Sequence, residues 1–192
     1  EIAKYKKVDL AKFYANVSIG SEVVVYFEGD NNHTSLPELN SLSLLSADRK
    51  VFTNLELSPL NTPSVLSLLI EQKYDYVGFD LKPLIFALLR YDIRGIHIKH
   101  DTFVAEYLID PNRSKYTIDK MLVKYTDFTF EESSDELMNL MYILKVYEGQ
   151  KKVIDDNELT RVFEDCELPL IETMAEMESS GMMVDKTVLN SV

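Results

Sequence analysis

Residues 22–30 read Glu-Val-Val-Val-Tyr-Phe-Glu-Gly-Asp, an apolar, β-branched run that ends abruptly in acidic residues. A run of this kind without alternation predicts a buried central strand, with the rest of the chain arranged around it. It would carry Glu28 and Asp30 to the edge of a sheet, where α/β proteins usually place their chemistry. The functional question is whether enough catalytic groups gather around that edge.

The elements that follow give the strand company. Leu42 to Leu45 and Val51-Phe52-Thr53, separated by the turn Ser46-Ala47-Asp48-Arg49-Lys50, complete a three-stranded antiparallel meander after the polar turn Gly29 to His33. Thr62-Pro63 predicts a helix start with Thr62 as N-cap, and Tyr74 to Phe79 a short strand. Pro83 begins a second helix, with Asp80 read as its cap. Gly95 to Ile98 is a connection into a third helix, capped by Asp101 and ending before Pro111. From Thr117 onward the pattern is helical, apart from a polar connection at Gly149 to Asn157. One apolar stripe is Leu137, Leu140, Met141 and Leu144; another is Phe163, Cys166, Leu170, Met174 and Met177. Gly181 suits a helix C-cap, and Met182 to Asp185 reads as a strand. The order predicts an α/β (α+β) fold with helices on the sheet faces.

With 192 residues, 46% of them hydrophobic, the chain can bury one good core or one core and part of a second. It opens on Glu and is read as a fragment. No apolar run reaches membrane-spanning length and no signal peptide pattern heads it, so the expectation is a cytoplasmic monomer without membrane contact. A formal charge of −12 argues against an autonomous grip on a phosphate backbone. Lys4, Lys6 and Lys7 are accordingly read as a solvated entry segment. The sole cysteine, Cys166, leaves no intramolecular disulfide and is assigned to helix packing. His97 and His100, near Asp101, lack the partners of a zinc site.

Two segments carry a recognisable pattern. Gly95-Ile96-His97-Ile98-Lys99-His100-Asp101-Thr102, running on to Tyr107-Leu108, resembles the G-I-x-x-x-x-D-T region of the bacterial DNA polymerase I family (family A). Glu167-Leu168-Pro169-Leu170 with Met177-Glu178-Ser179-Ser180-Gly181-Met182-Met183-Val184-Asp185 resembles the junction that opens the polymerase domain there. The resemblance implies a ribonuclease H-like 3′–5′ exonuclease domain over residues 1–157, built on a mixed five-stranded sheet. The beginning of the polymerase domain would follow over residues 158–192. It implies that partners are the polymerase domain of the same chain and, through it, DNA.

Active members of that family hydrolyse phosphodiesters with two metal ions held by four carboxylates, since paired divalent ions need many oxygen ligands. Matched position by position, the set is broken here. The strand motif D-x-E becomes Tyr26-Phe27-Glu28. The helix Asp becomes Leu84, four residues after Asp80. The late Y-x-x-x-D becomes Leu140 to Leu144. Tyr26, Glu28, Asp80, Leu84 and Leu144 therefore form a degenerate set, with Leu84 and Leu144 on apolar helical faces that would fill the same vacated region. The expectation is an inactive, scaffolding domain with no cofactor of its own, magnesium serving only the polymerase domain. The alternatives are an active exonuclease with a relocated set, Glu28, Asp30 and Asp80, or a protein-interaction module using the acidic surface.

Overall fold

The computed structural model describes residues 4–30, 38–130 and 135–181. Six strands, β1 (Lys6–Lys7), β2 (Glu22–Asp30), β3 (Glu38–Ser46), β4 (Val51–Glu56), β5 (Asp75–Gly78) and β6 (Ile98–Asp101), form one sheet in the order β1-β4-β3-β2-β5-β6. The β2-β3-β4 meander is antiparallel, and β5 and β6 add in parallel on the far side of β2. Among the described residues the sheet thus has six strands where five are expected. The Gly95–Ile98 connection runs directly into strand β6, and the two cationic residues of β1 offer no apolar alternation from which a strand could be read.

Helices α1 (Leu10–Asn16), α2 (Thr62–Glu71), α3 (Lys82–Arg90), α4 (Thr102–Ile109), α5 (Ile118–Tyr125), α6 (Glu136–Asp156), α7 (Thr160–Val162) and α8 (Leu168–Ser180) surround the sheet. Alternating side chains of β2 enter two different layers, which is why the strand is apolar throughout. Val23 and Val25 join Leu42, Leu44, Leu66, Leu69, Leu84, Ile85 and Leu88 in the layer of α2 and α3. Val24 joins Leu45, Val77, Leu140, Met141, Leu144 and Tyr147 in the layer of α6.

Four local expectations are corrected. Thr62 lies inside α2 rather than capping it, its hydroxyl donating to the Ser58 carbonyl at 2.7 Å. The preceding Asn61 ties the loop together instead, accepting from the Ser58 N–H at 2.7 Å and donating to the Glu56 carbonyl at 3.0 Å.

Gly149 to Asn157 is no connection: α6 runs on to Asp156. Its exposed side chains meet water, while the buried Gln150 amide nitrogen donates to the Thr102 carbonyl at 2.9 Å and to Glu106 Oε2 at 3.1 Å. Gly149 serves close packing, because a Cβ there would lie 2.5 Å from the Tyr125 Cβ. Gly149→Ala is therefore expected to force α5 away from α6 and lower stability by about 1–3 kcal/mol despite alanine's better helix propensity. Urea unfolding checks the sign: a stabilised variant would show that the two helices separate freely.

The third correction concerns the register beyond α7. A π-helical turn at Phe163–Glu167 inserts a residue into the helical repeat. The buried stripe becomes Phe163, Leu168, Ile171 and Ala175, while Leu170, Met174 and Met177 face outward. The fourth follows from it: Cys166 is exposed and packs no helix interface. Leu168, Ile171 and Ala175 share one core with Leu84 and Ile85 of α3, and Lys82 pairs with Glu178 at 3.0 Å across the α3–α8 contact. Gly181 does end α8, with φ of 65°. The turn from Asn31 to His33 and the strand expected at Met182 to Asp185 lie outside the described residues.

Candidate functional site

The C-terminal end of β2 opens into a depression of about 220 Å³ lined by Val25, Tyr26, Phe27, Phe79, Asp80, Pro83 and Ile143. Its character follows from the strand. Tyr26 leans across β2 and donates from its hydroxyl to Glu28 Oε1 at 3.0 Å. Burial, reinforced by that hydrogen bond, pushes the Tyr26 phenol up to about 12, so it is a neutral donor at physiological pH. Glu28 itself is exposed.

Asp80 is the carboxylate that lines the depression. Burial raises its pKa, with the Lys82 charge opposing the rise. Its backbone takes a positive φ of 49°, which turns the chain sharply from β5 into α3. Asp80 does not cap α3, contrary to expectation; Asp101 does that work from the neighbouring strand. The Asp101 carboxylate accepts from the N–H groups of Asp80 at 3.1 Å and Leu81 at 2.8 Å. It also caps α4, as expected, accepting from Phe103 at 2.9 Å and Val104 at 3.4 Å. Burial pushes Asp101 up to about 6, against the pull of its N–H donors and with a further rise from Asp80.

Leu84 and Leu144 are both buried, at 0% and 6% exposure. They do not fill one common region: Leu84 packs in the α2–α3 layer and Leu144 in the α6 layer, on opposite faces of the sheet. The α6 residue that lines the depression is Ile143. Helical periodicity places both on an apolar face of α6, and only the packing distinguishes them.

The two histidines occupy unrelated environments. His97 is exposed, with Nδ1 2.8 Å from Asp75 Oδ1. His100 is buried between the rings of Tyr147 and Phe163, each centroid 4.9 Å away. Burial lowers its pKa to about 4, against a hydrogen bond to Gln150, and the ring is neutral. Sequence reading missed the polar cluster beside it. Glu106, fully buried, accepts from Tyr125 at 2.6 Å, Lys124 at 2.9 Å and Gln150 at 3.1 Å. Burial alone would raise its pKa, but those hydrogen bonds outweigh it and the pKa is lowered. Glu106 and Gln150 are enclosed and hydrogen-bonded, and the cluster ties α4 to α5 and α6.

Two-ion phosphodiester chemistry needs several carboxylates aimed at one point. Among the described residues, no three His, Cys, Asp or Glu side chains come together as a metal-binding group. The depression offers Tyr26, a neutral donor, and a single lining carboxylate, Asp80, whose pKa is raised by burial. The described residues lining the depression supply one carboxylate where a pair of magnesium ions needs several.

A mixed sheet with an antiparallel meander followed by parallel strands and flanking helices is the ribonuclease H-like exonuclease architecture. Residues 23–136 match the model of the DNA polymerase I ribonuclease H-like domain family, and the chain belongs to that family. A DNA polymerase I from Caldicellulosiruptor bescii is 27% identical over 89% of the chain, which spans about a quarter (23%) of that relative. The polymerase domain of Pol1 from M. smegmatis, solved with DNA primer-template and dNTP, superposes over 95% of this chain and 32% of its own. That match has a TM-score of 0.81 at 21% identity. Brucella melitensis NrnC covers 93% of both chains at a TM-score of 0.68 and 14% identity. Trypanosoma brucei RNase D covers 78% of this chain and 66% of its own, at 0.61 and 13%. At these identities the structural likenesses are likenesses of fold.

Proposed function

We propose that this chain is a catalytically silent 3′–5′ exonuclease-like domain that orients the DNA-synthesising domain of a DNA polymerase I in replication and repair. The observation that carries the reading is the composition of the depression at the end of β2. Tyr26, Phe79, Pro83 and Ile143 surround a single carboxylate, Asp80, where the active chemistry of this family needs four. Residues from 158 onward begin the polymerase domain in this reading, and magnesium serves that domain alone. DNA is then a partner of the whole protein, a cytoplasmic monomer.

The test is a nuclease assay. The protein is incubated with single-stranded DNA and magnesium or manganese, with the polymerase reaction blocked by omitting dNTPs. No release of mononucleotides above a metal-free control is expected. Release that disappears in Glu28→Ala would overturn the reading and establish a relocated carboxylate set. Thermal melting gives an independent check: millimolar magnesium should leave the melting temperature of this domain unchanged, whereas an occupied two-ion site would raise it.

A further inference from the structure

The cations of this acidic chain are not evenly distributed. Four of its five arginines are paired: Arg90 with Glu38, Arg94 with Glu176, Arg113 with Glu106 and Asp110, and Arg161 with Asp165. Arg49 is the exception among the described residues. It stands in the β3–β4 turn beside Lys50, and both are exposed. The parallel pairing of β1 with β4 brings a second basic segment to the same place: Lys6 opposes Val51, Lys7 opposes Phe52, and the Lys6 N–H donates to the Lys50 carbonyl at 2.9 Å. Lys4, Lys6 and Lys7 are exposed as well.

Lys4, Lys6 and Lys7 are therefore no free entry segment. Two stretches more than forty residues apart are stitched by backbone hydrogen bonds into one basic rim on the edge strand. Among the described residues, no carboxylate forms an ion pair with any of these five cations. Asp48, in the same turn, is the local counter-charge, and Asp9 is already engaged by Lys12 at 2.9 Å. Lys7 lies over the Phe52 ring, its Nζ 5.9 Å from the centroid, which keeps its stem against the sheet and its charge at the rim. Adjacent strands are about 4.8 Å apart and residues about 3.3 Å apart along them, so the backbone sites of Lys6, Lys7 and Lys50 fall within roughly one Debye length. Their fields add.

We propose that this rim is a contact for the phosphate backbone of DNA, on the edge strand β1 and at the other end of the strands from the depression beside β2. The occupant is chosen by charge. Several such cations on a hydrogen-bonded edge suit a regularly spaced polyanion, and their persistence within a body of charge −12 gives a local site where bulk charge would repel. The proposal rests on membership of a DNA polymerase family and not on the silence of the nuclease site. An active exonuclease would leave it untouched.

The test measures the salt dependence of affinity of the intact protein for a short fluorescein-labelled DNA duplex. It compares the parent with a Lys6→Gln, Lys7→Gln, Arg49→Gln, Lys50→Gln variant. Each phosphate neutralised contributes about 0.9 to the slope of log affinity against log salt, so losing all four contacts should flatten the slope by about 3.6. Between about 50 and 200 mM salt, the parent should then lose about 150-fold more affinity than the variant. A Lys151→Gln, Lys152→Gln variant, altering exposed cations of α6, should retain the parental slope. An unchanged slope in the rim variant overturns the proposal. So does an equal change per charge in the α6 control, which would show a bulk-charge effect. Loss of binding to poly-glutamate with DNA binding intact overturns it in favour of an acidic protein partner. Circular dichroism confirms that the variants fold; the β1–β4 pairing is made by backbone groups and does not depend on the replaced side chains.

Discussion

Replacing Asp101 with alanine is expected to destabilise the protein by about 3–5 kcal/mol, because four backbone N–H groups at two helix starts lose their acceptor together. An ordinary N-cap serves one helix at its surface end and costs about 1 kcal/mol to remove. Asp101 serves α3 and α4 from between them, and it is 1% exposed, so water cannot replace it without opening the β5–β6 edge. Asp101→Asn keeps one acceptor oxygen and should lose less, about half the alanine effect. Chemical unfolding measures both. An alanine variant within about 1 kcal/mol of the parent would show that the two helix starts are hydrated.

The same residue gives a pH dependence whose sign is fixed by its burial. Its folded pKa, raised to about 6, lies above the ordinary carboxylate value of 3.8, so the folded state takes up the proton first. Relative to Asp101→Asn, the parent therefore gains stability as pH falls through 6 toward 4, and loses that gain as pH rises through 6. The difference between pH 7 and pH 4 should amount to about 2–3 kcal/mol, since a tenfold change in proton affinity on folding corresponds to about 1.4 kcal/mol. A difference that moves the other way would mean that the four N–H donors dominate over burial.

Much of this arrangement was legible in the sequence, for identifiable reasons. The run Val23 to Phe27 could only be a strand covered on both sides, and the meander, the α3 and α4 starts and the C-cap at Gly181 each rest on local chemistry. What escaped reading depends on contacts between distant segments. Gly149 and Gln150 look like a loop until Tyr125 and Glu106 are placed against them. Asp80 looks like a cap because nothing local reveals that Asp101, on the next strand, supplies the acceptor. The π-turn at Phe163 moves the buried stripe by one residue, and no composition rule marks it. Of the motif positions Tyr26, Leu84 and Leu144, the apolar character of the two leucines was legible, but their separation onto two faces of the sheet was not.

That separation governs what happens when a carboxylate is placed at position 84. Leu84→Asp, which tests the proposed silent reading directly, is expected to unfold the domain or lower its stability by at least about 5 kcal/mol. Leu84 has 0% exposure among Val25, Leu81, Ile85 and Leu88, so the change forfeits about 1.5–3 kcal/mol of apolar burial and buries a carboxyl without a hydrogen-bond partner. Tyr26→Asp makes a useful contrast. Tyr26 is only part-buried at the strand end beside the exposed Glu28, where a new carboxylate reaches water, and the loss should stay within about 1–2 kcal/mol. Urea midpoints of the two variants, with and without magnesium, separate the possibilities. If Leu84→Asp folds with a midpoint near the parent's and gains stability from magnesium, the position still opens onto a metal site and the silent reading fails. If it collapses while Tyr26→Asp folds and ignores magnesium, position 84 has become part of the core. A carboxylate at position 84 would then require the α3 packing to be rebuilt first, because a single substitution there would be removed by instability before any activity could favour it.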